Sequence, residues 1–277
     1  MTDKITILTL AERKARGEKI TSVTAYDYPT ARLADEAGMD FVLVGDSAAM
    51  AVAGRPHTLE ATVEEMLYHT RAVRRGIARS LLVADMPYGS YHLSETEAVR
   101  NALRMIKEAG AEAVKLEGGR KQAPLIERLV LAEIPVMAHI GLTPQAVHLL
   151  GGYKVQGKDP RVARALLEDA RAVASAGAFA IVLEGMPREL AARITAESPV
   201  PTIGIGAGPD CDGQILVFHD LVGLSFGVQP KFARRYADLA GEVRRAFAEY
   251  AADVRTGRFP SDQESYHAPP VPKPVAV

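Results

Sequence analysis

Four short apolar runs in this 277-residue chain end in an acid: Val44-Gly45-Asp46-Ser47, Val83-Ala84-Asp85, Val114-Lys115-Leu116-Glu117 and Val182-Leu183-Glu184. Carboxylates can ligate a hard cation or move protons, and like charges gathered in one place need a cation or protons to balance them. No histidine pair and no thiolate cluster accompanies these acids. The donor set therefore suits Mg²⁺ better than zinc, and Mg²⁺ keeps waters that a chelating oxygen substrate can replace. Lys115 and Glu117 stand two apart, so on a strand they project to one side. A cation and an anion placed so either serve a ligand or form a buried ion pair that holds the structure.

Blander readings compete at each position. An acid or serine after a strand often caps the next helix. At Asp85 the following Met86-Pro87-Tyr88-Gly89 reads as a turn, which argues against capping, whereas the small residues 47–53 leave it open for Asp46. His139 closes the run Pro135-Val136-Met137-Ala138 and offers proton transfer or donation to a substrate, or a structural contact. The segment Gly204-Ile205-Gly206-Ala207-Gly208 lacks the third-glycine spacing of a dinucleotide fingerprint and lies late in the chain, which excludes NAD. A tight turn against a ligand or a phosphate cradle stays open there. Cys211 lies between Asp210 and Asp212, acids that raise a thiol's pKa, and is given no catalytic role.

The elements that must position these residues alternate. Apolar runs at 20–25, 41–44, 81–84, 113–116, 135–138, 179–183 and 202–205 read as buried parallel strands, with a weaker eighth at 215–218. Amphipathic stretches at 62–76, 94–110, 122–131 and 160–177 read as helices between them. Eight such units predict a closed (β/α)8 TIM barrel rather than an open doubly wound sheet. In a barrel the C-terminal strand ends converge on one mouth and the four acids become neighbours. A charged helix over 231–254 extends the barrel, giving one domain over 1–259, and the proline-rich 260–277 is expected to be a mobile tail.

The formal net charge of −1 provides no global field for nucleic acid or anionic membrane, so small-molecule substrates are the expected partners. The apolar runs are too short to cross a bilayer, the first residues carry no leader pattern, and one cysteine allows no internal disulfide; together these predict a soluble, cytoplasmic protein.

As a set, the motifs resemble the ketopantoate hydroxymethyltransferase family. They are Val44-Gly-Asp-Ser47, Ala84-Asp-Met-Pro-Tyr88, Lys115-Leu-Glu-Gly-Gly119, His139-Ile-Gly-Leu-Thr-Pro-Gln145, Gly204-Ile-Gly-Ala-Gly208, Cys211-Asp-Gly-Gln-Ile-Leu-Val217 and Phe218-His-Asp-Leu221. The likeness runs in order from about residue 6 to about residue 259. It implies hydroxymethyl transfer from 5,10-methylenetetrahydrofolate to 3-methyl-2-oxobutanoate, giving 2-dehydropantoate on the route to pantothenate, with one Mg²⁺ per subunit. Carried onto matching positions, it implies Asp46 and Asp85 as metal ligands with Glu117 completing the shell. Ser47 and Lys115, with Asp46 and Asp85, would hold the 2-oxo acid, and Glu184 would be the catalytic base. It also implies a homodecamer. The rival expectations are a folate-independent, metal-dependent lyase or mutase of 2-oxo acids on a related barrel, and a barrel that binds such an acid without turnover.

Overall fold

The computed structural model describes residues 3–227 and 229–269. Eight parallel strands, β1 (Ile20–Thr24), β2 (Phe41–Val44), β3 (Leu81–Asp85), β4 (Ala113–Glu117), β5 (Val136–Gly141), β6 (Ala180–Glu184), β7 (Thr202–Ile205) and β8 (Gly213–Leu216), pair in chain order. β1 pairs back onto β8 and closes the predicted barrel.

Alternation along each strand sorts its side chains into two cores. Phe41, Leu43, Leu81, Val83, Met137 and Val182 belong to the cluster inside the barrel. Their odd-even neighbours, such as Val42, Leu82, Leu116 and Leu183, pack with the surrounding helices in the other. Following the inward set toward the strand ends leads from apolar residues to Asp85, Lys115, Glu117, His139 and Glu184. The barrel interior is thus apolar below and charged at its C-terminal layer.

The helix α1 (Ile7–Arg16) precedes the barrel, opened by a reciprocal Thr6–Thr9 capping box, and its Leu10 joins the inward cluster with Ile5. This closes the N-terminal end and leaves the other as the mouth. The crossover helices are α2 (Tyr28–Glu36), α3 (Val63–Arg74), α4 (Glu95–Lys107), α5 (Ala123–Val130), α6 (Pro160–Ser175) and α7 (Arg188–Glu197). Side chains of Asp27, Thr62, Ser94 and Asp159 cap four of them. The link 206–212 between β7 and β8 carries no helix.

Two boundaries differ from expectation. The eighth strand starts at Gly213, earlier than the apolar run at 215–218, because Gly213 pairs with Ile20 so closely that a Cβ would lie 2.6 Å from the Ile20 carbonyl oxygen. Glycine and glutamine carry no apolar signal, so the pattern lags the strand. The C-terminal helix α8 (Leu239–Thr256) starts eight residues after the expected 231, where the Asp238 side chain accepts from the Gly241 N–H and caps it. Of the expected mobile tail, 260–269 are exposed, with a short 3₁₀ turn over Asp262–Glu264, and 270–277 lie outside the described residues. Among the described residues no helix is long and apolar enough to cross a membrane.

Candidate active site

Register decides which charged side chains meet. Asp85, the last residue of β3, is the in-register neighbour of Lys115 on β4, and Lys115 Nζ donates to Asp85 Oδ1. Of the two readings left open for Lys115 and Glu117, both side chains reach the mouth, and the ion pair that forms is across the ladder, with Asp85. Neighbouring strands are roughly 4.8 Å apart, whereas i and i+2 on one strand are separated by roughly 6.6 Å. Glu117 in turn is in register with His139 on β5, and Gly141 with Glu184 on β6. His139 sits between the two glutamates. Its Nε2 lies 3.2 Å from Glu184 Oε2 and its Nδ1 3.6 Å from Glu117 Oε1, neither in hydrogen-bond geometry.

Asp46 arrives from β2 through a tight turn at Gly45, where a Cβ would lie 2.6 Å from Ser47 Oγ. Its backbone N–H donates to Asp85 Oδ2 at 3.1 Å, tying the two acids together. Ser47 Oγ pairs with the Tyr26 hydroxyl at 2.8 Å. The capping alternative fails at both aspartates. Asp85 is in register within the sheet, and the short helix Ala48–Ala51 after Asp46 has no side-chain cap. The expected residues Asp46, Ser47, Asp85, Lys115, Glu117 and Glu184 thus lie around one barrel mouth.

Three residues given no role by sequence reasoning join them. Gln145, on a 3₁₀ turn after β5, donates through Nε2 to Asp46 Oδ2 at 2.8 Å and through its backbone N–H to Glu117 Oε2 at 3.0 Å. The Tyr91 hydroxyl donates to Gln145 Oε1 at 2.6 Å and accepts from the Glu117 N–H at 3.2 Å. Tyr26 supports Ser47. Gln145 stood in a recognisable motif, which was the available signal; the tyrosines had none.

The electrostatics are unbalanced toward acid. Burial pushes the Asp46 carboxyl up to about 7, and the nearby Asp85 charge adds to the rise. Burial also drives Glu117 well above the carboxylate range, against the pull of Lys115. For Lys115 burial alone would lower the ammonium's pKa, but Asp85, Glu117 and Asp46 outweigh it and keep the group charged. Burial holds both the Tyr26 and Tyr91 phenols protonated. Asp46, Asp85 and Glu117 thus act on the ammonium of Lys115, and Glu184 adds its charge beside Asp46.

Among the described residues no three His, Cys, Asp or Glu side chains form a ready-made metal cage. The paired Asp46 and Asp85 carboxylates, with Glu117 near them, instead fit an ion that takes one or two carboxylates and completes its shell with water or substrate oxygens, as Mg²⁺ does. The hard oxygen donors and the deficit of positive charge point the same way.

Two features of the sequence reading lie elsewhere. The glycine-rich segment is filled by the chain itself: a Cβ at Gly206 would meet the Phe232 ring at 2.6 Å, and one at Gly208 would meet Arg188 Cβ at 2.4 Å. These glycines serve close packing, and the geometry gives no support to a phosphate cradle. Cys211 is free and buried, and burial, more than the neighbouring acids, raises its thiol.

Solved structures with the same fold include a phosphonopyruvate hydrolase in complex with oxalate and Mg²⁺, with a TM-score of 0.61, 18% identity, and coverage of 93% of this chain and 92% of that one. Another is a 2,3-dimethylmalate lyase of the PEP mutase/isocitrate lyase superfamily, with a TM-score of 0.58, 17% identity, and coverage of 94% and 91%. Sequence relatives are far nearer. A 3-methyl-2-oxobutanoate hydroxymethyltransferase of Koribacter versatilis is 59% identical over 96% of this chain and 90% of its own length. One of Carboxydothermus hydrogenoformans is 54% identical over 97% of each. The ketopantoate hydroxymethyltransferase family model matches residues 4–262. With the barrel, its acidic mouth and these relatives in agreement, the chain belongs to the ketopantoate hydroxymethyltransferase family.

Proposed function

We propose that the chain transfers a hydroxymethyl group from 5,10-methylenetetrahydrofolate to 3-methyl-2-oxobutanoate, giving 2-dehydropantoate and tetrahydrofolate in a Mg²⁺-dependent reaction. Family membership supports the transfer itself. The observation that carries the chemistry is the gathering of Asp46, Asp85 and Glu117 about Lys115 at one barrel mouth, with Glu184 close to Asp46 and His139.

In this reading Asp46 and Asp85 hold the ion and Glu117 completes its surroundings. Mg²⁺ held there would supply Lewis-acid chemistry to the oxygens of the substrate and so favour loss of the hydrogen on C3. Ser47 orients the acid from the hydroxyl it shares with Tyr26. Lys115, fixed against Asp85, places its ammonium where the substrate's 2-oxo oxygen gains negative charge. Glu184, with a side chain 15% exposed at the rim, is the base that takes the C3 proton. His139, within 3.2 Å of Glu184, borders the base. C3 then bonds to the one-carbon unit, the folate C–N bonds break, and water entering with that unit becomes the new hydroxyl. The family reading also carries a homodecamer.

Mass-spectrometric detection of 2-dehydropantoate tests the reaction. The protein with 3-methyl-2-oxobutanoate, methylenetetrahydrofolate and Mg²⁺ is expected to form it, and chelation of the metal to stop it. Absence of product from folded, Mg²⁺-supplied protein overturns the proposal in favour of a folate-independent lyase, whose products would be sought with other 2-oxo acids.

A further inference from the structure

The proposed metal ligands come from different strands, and one uncharged residue touches two of them. Gln145 is 6% exposed, and every polar atom of its amide is engaged. Nε2 donates to Asp46 Oδ2 at 2.8 Å and to the Met86 carbonyl at 3.1 Å, and Oε1 accepts from Tyr91 at 2.6 Å. Its backbone N–H donates to Glu117 Oε2 at 3.0 Å. One residue therefore connects the exits of β2 and β3 through its side chain and that of β4 through its backbone N–H.

We propose that Gln145 is the positioning residue of the cation site: it fixes which oxygen of Asp46 faces the ion and holds Glu117 beside it, with Tyr91 setting the direction of its amide. This inference rests on the metal reading of the site and deepens it. The chemistry behind it is directional. A carboxylate free to rotate offers either oxygen, and an ion with strict octahedral geometry gains from ligands already turned toward it. Holding Asp46 by Oδ2 leaves Oδ1 for the ion. An amide can do this in only one of its two flipped orientations: the two acceptors Asp46 Oδ2 and the Met86 carbonyl require Nε2 on their side, and the Tyr91 hydroxyl donates to Oε1 on the other. A carboxylate at position 145 would instead add an acid beside Asp46, and an apolar side chain would free Asp46 to rotate.

The test is direct titration with Mn²⁺ as the probe ion, followed by electron paramagnetic resonance, on wild type, Gln145→Ala, Gln145→Met and Tyr91→Phe, with melting curves of the metal-free proteins alongside. Wild type is expected to bind one ion per chain. Both Gln145 variants are expected to bind it at least tenfold more weakly, and Tyr91→Phe to fall between them and wild type. Gln145→Met retains the volume of the side chain, so its metal-free melting temperature should stay near that of wild type while its affinity drops. Turnover at low Mg²⁺ should fall and be recovered largely by excess Mg²⁺, a rescue that generalised misfolding does not allow. Mn²⁺ affinity of a folded Gln145→Met within twofold of wild type overturns the inference while leaving the metal reading intact. Failure of wild type to bind Mn²⁺ overturns both.

Discussion

The two ends of this barrel use the same residue types to opposite ends. At the N-terminal end the buried Asp40 and the half-buried Asp35, Glu112 and Asp212 are each matched. Asp40 lies 2.8 Å from Arg13 and 3.7 Å from Arg79, and it also accepts from the Thr21 N–H at 2.9 Å. Glu112 meets Lys4 at 2.7 Å and Arg74 at 3.3 Å, and Asp212 meets Lys14 at 2.7 Å. At Asp35 burial would raise the carboxyl, yet donors from Ser80, Ala78 and Arg79 outweigh it and hold the group below its ordinary value. At the mouth, among the described residues, Lys115 is ion-paired with Asp85 while Asp46, Glu117 and Glu184 gather close by, and Asp46 rises to about 7. A carboxylate surrounded by cations and N–H groups stabilises the folded chain. One left in deficit of positive charge stores a demand that a cation or a substrate can meet.

The comparison can be broken by exchanging acids for amides at either end. The largest effect is expected from Asp85→Asn, which retains shape but removes a proposed ligand and the counter-charge of Lys115; turnover should drop by about 10³-fold or more, with Mn²⁺ binding lost in the same titration. Glu184→Gln should lower kcat by roughly 10²–10⁴-fold while substrate binding by calorimetry stays near that of wild type, because only the base is removed. Near-normal turnover in that variant would reject the base assignment. Asp40→Asn at the opposite end should do the reverse: stability in urea falls by about 1–3 kcal/mol as Arg13 and Arg79 lose their shared partner, and kcat of the folded enzyme is unchanged.

The contrast is also visible through pH. A carboxyl raised in the folded state binds its proton more tightly there than in the unfolded chain. Its ionisation therefore costs stability as pH climbs from the ordinary 3.8 toward about 7. Metal-free Asp46→Asn lacks this cost. Measured as a difference from wild type, it should become relatively more stable across that window, by up to about 1.4 kcal/mol per pH unit, with the gap levelling off above the window. Urea titrations at several pH values check this, and saturating Mg²⁺ should close the gap. A difference independent of pH would contradict the strained state of Asp46.

How much of this was legible in the residues depends on where they sit. Asp85, Lys115, Glu117 and Glu184 could be assigned to the mouth because a strand's period of two and the barrel's convergent ends fix their direction. The partner of Lys115 could not, since strand register depends on all eight strands closing together. Gln145, Tyr91 and Tyr26 come from turns and loops, whose course over the mouth follows no period; Gln145 could be flagged only by its motif, and the tyrosines by nothing. The eighth strand begins at a glycine required by backbone contact with Ile20, a constraint of tertiary origin that hydropathy does not register.

The central claim is that the acidic mouth makes a 2-oxo acid lose its C3 proton to Glu184. Proton NMR of 3-methyl-2-oxobutanoate in D₂O, with enzyme but without folate, tests that step alone. The account predicts that the C3 signal disappears in the presence of Mg²⁺, persists when the metal is chelated, and persists with Glu184→Gln. Exchange by Glu184→Gln at the wild-type rate, or an unchanged C3 signal from a wild-type enzyme that still forms 2-dehydropantoate, would contradict it.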